Sequence, residues 1–191
     1  MIFVKYKKMF TNFNLYMEDN QMCVSKDAKV AVVMGSDSDL SVMKNCIKIL
    51  KDFEIDCEVM VCSAHRTPEK AADFAKNADA NGIDVIIAAA GKAAHLAGVL
   101  AAHTPVPVIG VPIRSSTMDG LDSLLSTVQM PSGIPVATVA IDGAENAALL
   151  AVQILSIAYH ELRHKMIDYK KSLAEKVEKK NIELQNKLKE I

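Results

Sequence analysis

Four short segments of the chain carry side chains able to do chemistry. The first is Gly35-Ser36-Asp37-Ser38-Asp39. If it opens a helix, its backbone N–H groups and two hydroxyls form an anion site. It has one glycine and no Gly-Lys-Ser/Thr run, so a dinucleotide or ATP site is disfavoured. Asp37 and Asp39 would repel a phosphate unless they point elsewhere, for example at sugar hydroxyls. A polar turn with Asp37 or Ser38 as helix cap accounts for the same residues. The second segment is Ser63-Ala64-His65-Arg66-Thr67. Its histidine can give or take a proton near neutral pH, and its arginine offers a planar fork for an anion. An exposed turn capped by Thr67 is the plainer alternative.

The third segment runs from Ala90 through Gly91, Lys92, Ala93 and His95 to Gly98. Small residues let a backbone approach a ligand or another helix closely. His95 opens a nearly all-apolar helix, where a buried, hydrogen-bonded structural histidine is the usual explanation. The fourth comprises Ser115 to Ser123 and Gln129 to Pro135, dense in Ser, Gly and Pro. It reads as a long loop that could be a lid or a wall. His103 closes the third helix and suits a cap or dipole role. His160 and His164 lie four apart with no third ligand evident, so a solvated helical face is expected and no metal site. No Ser sits in GxSxG and no Cys sits beside a His, so hydrolase chemistry is disfavoured.

These segments must be positioned by regular elements. KVAVVM (29–34) reads as a buried strand, and Leu40, Met43, Ile47 and Leu50 recur at helical spacing. A second strand is expected over 54–61 and a helix from Pro68 to about Asn81, Pro being tolerated in the first turn. A third strand covers 83–91, a small-residue helix follows, and a fourth strand covers 105–112. DGLDSLLSTVQM reads as helix, Ile134 to Ile141 as a fifth strand, and the segment from Glu145 as the start of one long helix. Apolar strands alternating with helices indicate a parallel sheet covered on both faces. Five strands suit a flavodoxin-like α/β three-layer sandwich of order 2-1-3-4-5. Each chemistry-bearing segment follows a strand, where ligands sit in such sheets.

The chain divides into three parts: an extension over 1–27, an α/β domain over 28–158 and a C-terminal helix over 159–191. The extension has no sustained period and reads as flexible, or as residues upstream of the true start; Met22 stands just before the regular pattern. Along the last helix Leu162, Met166, Tyr169, Leu173, Val177, Leu184, Leu188 and Ile191 form a stripe among many Lys and Glu. That stripe wants a surface, either its own domain or a neighbouring subunit.

Composition removes several function classes. Over 191 residues, Lys plus Arg total 22 against 23 Asp plus Glu, which leaves no electrostatic footprint for nucleic acid or an acidic membrane. Aromatics are 5% and Trp is absent, so a base-stacking platform is not expected, and no aromatic is placed to sandwich a flavin. No apolar run approaches the ~20 residues of a membrane span, and no secretory signal pattern opens the chain. Cys23, Cys46, Cys57 and Cys62 form no CxxC pair, so a reduced, cytoplasmic protein is expected.

VMGSDSD, SAHRTP, AAHL with Gly98, GVP, DSLLSTVQMPSGIPVATVAI and ENAALLAVQIL, in this order, resemble the class I N5-carboxyaminoimidazole ribonucleotide mutase family of de novo purine biosynthesis. The resemblance runs from about Lys29 to Tyr169. It implies a flavodoxin-like subunit of a homo-octamer, with sites built from more than one chain. The implied reaction moves a carboxyl group from the exocyclic amine of an imidazole ribonucleotide to C4 of its ring, with no metal, nucleotide or biotin. By motif, Arg66 and the turn Gly35-Ser36-Ser38 would hold the phosphate, Asp39 would face the ribose, and Ser63 and Ala64 would line the same pocket. Gly91, Lys92 and Ala93 count among the substrate-binding residues. His65 would be the general acid/base and His95 a second site histidine. Small residues such as Ala90, Ala93 and Ala94 suit a water-poor pocket that confines CO2.

Two positions depart from the family pattern: Lys92 stands where a second glycine is expected, and Ala97 where proline is usual. A related class carboxylates aminoimidazole ribonucleotide with free CO2. Its pattern has Lys after the first His and lacks the second, so Arg66 and His95 favour the mutase. A non-catalytic flavodoxin-like module binding a nucleotide or regulator is the alternative outside enzymes.

Overall fold

The computed structural model describes residues 28–116 and 118–189. The expected extension over 1–27 lies outside the described residues. Strand β1 (Lys29–Met34) leads through a 3-10 turn (Asp37–Asp39) into helix α1 (Leu40–Asp52). Strand β2 (Asp56–Val61) and helix α2 (Pro68–Asn77) follow, then β3 (Val85–Gly91), α3 (Leu96–Ala101) and β4 (Val108–Ile113). A second 3-10 turn (Met118–Gly120) enters α4 (Leu121–Val128), followed by β5 (Ala137–Thr138), α5 (Ala144–Leu155) and α6 (His160–Leu188). The strands form one parallel sheet in the order β2-β1-β3-β4-β5, the flavodoxin-like arrangement expected from the sequence.

Period-two alternation explains the layers. Val30, Val32, Val85, Ile87, Ile109 and Val111 pack on one face against Met43, Cys46 and Leu50 of α1 and Ala147, Ala148, Ala151 and Val152 of α5. Ala31, Val33, Ile86, Ala88 and Val108 face the other way, onto Ala71 and Ala75 of α2 and Ala97 and Leu100 of α3. Both faces are covered, so the strands read as continuous apolar runs. Gly110 of β4 marks a close approach: a Cβ there would stand 2.4 Å from Thr127 Cγ2 on α4.

Three elements differ most from expectation, while β2, β3 and β4 begin at Asp56, Val85 and Val108 rather than at the expected 54, 83 and 105. The fifth strand shrinks from 134–141 to Ala137–Thr138. Pro135 has no N–H for a ladder, and after Val139 the chain turns away at Asp142, whose φ is +57°. Helix α2 ends at Asn77, not Asn81, because the N–H of Ile83 returns to the carbonyl of Ala78 while Gly82 adopts φ +71°. The expected single C-terminal helix breaks between Leu155 and His160. There the Ser156 hydroxyl donates to the Gln153 carbonyl, and Tyr159 takes an extended conformation that aims its hydroxyl at Asp84, 3.3 Å away.

The root of α6 docks on the domain through Leu162 and Met166, both buried, and through Lys165, whose ammonium group lies 2.7 Å from Glu54. From Leu173 onward the described apolar side chains of its stripe, Val177, Leu184 and Leu188, are exposed. Among the described residues no helix is long and apolar enough to cross a membrane.

Candidate active site

Strand register sets the stage for the site. Met34 lies beside both Val61 and Ala89, and Gly91 beside Ile113. The turns after β1, β2, β3 and β4 therefore emerge at one edge of the sheet. They enclose a cleft of about 740 Å3 at the point where the strand order reverses. All ten residues expected to bind substrate and both candidate histidines line it in two groups: Gly35, Ser36, Ser38 and Asp39 on the β1 side, and Ser63 to Arg66, Gly91 to Ala93 and His95 on the β2 and β3 sides.

The first turn is capped neither by Asp37 nor by Ser38. Ser36 is the cap: its hydroxyl accepts from the N–H of Ser38, while the Asp39 carboxylate accepts from the N–H of Ser36 at 3.1 Å. Asp37 also accepts from the N–H of Ser38. The turn thus uses these N–H groups internally, which corrects the picture of a bare helix-terminal anion cradle. What it turns toward the cleft is hydroxyls, with Ser38 Oγ donating to Ser36 Oγ at 2.9 Å. Asp39 is buried, and that burial pushes its carboxyl above the ordinary value of 3.8 against the pull of its hydrogen bonds.

In the second turn Thr67 does not cap α2 with its side chain. Its hydroxyl instead donates to the Ser63 carbonyl and accepts from the Ser63 N–H, and the N–H of Arg66 donates to Ser63 Oγ. This tight turn presents two neighbours in different directions. Arg66 reaches back to donate to the carbonyl of Gly35 at 3.0 Å, so its guanidinium lies over the first turn. His65 reaches toward the third turn, where its Nε2 stands 3.0 Å from Nδ1 of His95. The two rings meet edge to face, 5.2 Å apart and 87° between planes. His95 is exposed to the cleft, so the buried structural histidine expected from its apolar helix is corrected. Its helix buries Leu96, Ala97 and Leu100, and His95 at the cap position projects off that face.

Lys92 has φ +58°, the left-handed conformation in which glycine is relaxed, which accounts physically for the glycine expected there. The sequence points to only part of the far wall. Ser115 of the Ser-rich loop lines the cleft as a wall, and beside it stand Arg114 and Asp142, which belong to no chemistry-bearing segment of the sequence analysis. Arg114 donates to Asp142 through both its backbone N–H and its Nε, and its Nη1 lies 2.6 Å from Asp119. Asp142 directly follows the expected fifth strand and Arg114 lies two residues past the expected fourth, so the strand-end rule points to both.

Elsewhere, His160 and His164 sit exposed on α6, as expected of a solvated face. Among the described residues no group of three or more His, Cys, Asp or Glu side chains is arranged to hold a metal ion. Cys46, Cys57 and Cys62 are unpaired thiols.

Comparison with known proteins agrees with this geometry. The AIR carboxylase family pattern matches residues 29–176. The N5-carboxyaminoimidazole ribonucleotide mutase of Pyrococcus abyssi is 63% identical over 145 residues, 76% of this chain and 83% of that protein. The protein of the same name from Mycobacterium leprae is 52% identical over 162 residues, covering 85% of this chain and 95% of the relative. Among solved structures, PurE of Treponema denticola superposes with a TM-score of 0.72 at 32% identity, covering 78% of this chain and 94% of that one. With the strand order, the cleft at its reversal and these matches in agreement, the chain belongs to the AIR carboxylase family.

Proposed function

We propose that this protein is an N5-carboxyaminoimidazole ribonucleotide mutase of purine biosynthesis, acting without metal, nucleotide or biotin. The observation that carries the reading is the His65–His95 pair, 3.0 Å apart in a cleft that also holds Arg66 and the Ser36–Ser38 hydroxyls. Arg66 and those hydroxyls take the phosphate, Asp39 the ribose, and the small residues Ala64, Ala90, Gly91 and Ala93 pack around the base.

The reaction then runs on one recycled proton. Protonated His65 gives its proton to the carbamate nitrogen. The N–C bond breaks, its electron pair stays on nitrogen, and CO2 is released beside the ring. The freed aminoimidazole is enamine-like at C4, and its electron pair attacks the confined CO2 to form the C–C bond. Neutral His65 takes the proton from C4, which restores aromaticity and returns the histidine to its starting state. His95 is positioned to hold the His65 ring and fix which nitrogen carries the proton. Confinement keeps CO2 from diffusing away between the two steps. In this reading the exposed stripe of α6 packs against a neighbouring subunit of a homo-octamer.

A paired assay tests the function. One arm supplies the carbamate ribonucleotide at low CO2, the other aminoimidazole ribonucleotide with bicarbonate and CO2. Carbamate turnover, reduced about 10²-fold or more in His65→Asn, is expected. Product from the second arm alone would make the protein a carboxylase, and none from either arm would leave a binding module.

A further inference from the structure

Three cations line the cleft: Arg66, Lys92 and Arg114. Two of them are engaged. Arg114 is paired with Asp119 and Asp142, and Arg66 is turned onto the Gly35 carbonyl beside the serine hydroxyls. Lys92 is different. It is exposed to the cleft and makes no hydrogen bond or ion pair among the described residues. It leaves the end of β3, which lies inside the sheet between β1 and β4, and shares a short turn with His95. Its cation therefore belongs to the histidine-bearing turn rather than to the serine turn.

The backbone supplies the second observation. Lys92 holds φ +58°, a conformation that costs a residue with a Cβ and costs glycine nothing. Among the described residues nothing repays that strain through the lysine side chain, which has no partner there. The side chain is free for a ligand.

The chemistry of the proposed reaction names the ligand group. Substrate and product each carry a carboxylate on the imidazole, at the amine or at C4, whereas the decarboxylated ribonucleotide between them has none. We propose that Lys92 pairs with this carboxylate and so makes the cleft discriminate carboxylated from decarboxylated imidazole ribonucleotides. A cation that meets the carboxylate in both end states, and not while the carboxyl group is free CO2, acts mainly on binding. This inference rests on the functional reading above.

The test measures the affinity of 4-carboxy-5-aminoimidazole ribonucleotide and of 5-aminoimidazole ribonucleotide by titration calorimetry. The proteins are the parent, Lys92→Met, Lys92→Gly and Lys92→Arg. Met keeps the stem and the strained backbone but loses the charge; Gly loses the charge and relaxes the backbone; Arg keeps the charge. The preference for the carboxylated ligand is expected to fall up to about fivefold in Met and in Gly and to persist in Arg, the scale of one charge pair in a wet site. An unchanged ratio in both neutral variants, with turnover intact in the parent, overturns the inference alone. A loss in only one of them also overturns it, since charge would not be the common cause. A parent that binds neither ribonucleotide overturns the functional reading and this inference with it.

Discussion

A histidine pair linked through ring nitrogens can share only one proton across the contact, so the protonation of His65 Nε2 and His95 Nδ1 is mutually exclusive. The proposed mechanism, in which His65 gives and then retakes one proton, needs such a neighbour. The neighbouring carboxylate behaves differently. Burial holds the Asp39 pKa above its ordinary value, so the ionised group weighs against folding at neutral pH. The penalty fades as the pH falls through the raised value. Asp39→Asn, which keeps an acceptor for the Ser36 N–H, is expected to melt at or above the parent temperature at pH 7, with the gap closing on acidification. Thermal melts across pH check this. Cys46 makes a third case. Burial pushes its thiol up to about 12, from 9.0, so its thiolate is roughly a thousandfold scarcer. At pH 8 iodoacetamide should label Cys46 in urea and spare it in the native protein, as peptide mass mapping would read. The sequence showed which residue types stood after each strand, and hence His65 and Arg66. It could not show that Asp39 bonds Ser36, or that His95 leaves its own apolar face, because side-chain direction depends on turns no spacing rule resolves.

Element by element, segments with one dominant pattern are readable, and those whose ends depend on a partner elsewhere are not. β1 keeps its expected bounds, since six apolar-rich residues closed by glycine admit one reading. β5 does not, because a strand of two paired residues is defined by its partner, β4, rather than by its own sequence. The break before α6 rests on Ser156 and Tyr159, whose hydroxyls find partners that the helical pattern does not reveal. Gly110 is likewise silent in sequence, yet it allows α4 to lie against the sheet. Gly110→Ala puts a methyl group against Thr127 and should destabilise the fold by about 1–3 kcal/mol, the cost of overpacking a core. Urea denaturation would show the loss as a lower midpoint at an unchanged slope.

Across the whole molecule, the strand order could be read from the alternation of strands and helices, and with it the edge at which the cleft opens. The arrangement places the histidines on two crossover turns and the arginine wall on a third. The outer part of α6 stands apart from this. Val177 is 68% exposed, and Leu184 and Leu188 are about half exposed, so removal of residues 177–191 takes no described residue from the core. The truncated protein should melt at the parent temperature if the helix end is idle. If the stripe packs between subunits, as proposed above, light scattering should find a smaller assembly.

Five described non-glycine residues hold positive φ, and four of them, Lys92, Met118, Asp119 and Asp142, cluster along the turns after β3, β4 and β5. Two line the cleft, and Asp119 is tied to it through Arg114. Glycine at any of these positions would relax the chain, by about 1 kcal/mol or more where the backbone alone is at issue. A search for hardier variants would therefore be drawn to the rim of the cleft first. It would gain heat resistance there by loosening the ion-paired wall and removing the unpartnered cation, so selection for robustness and selection for turnover would pull the same few codons in opposite directions.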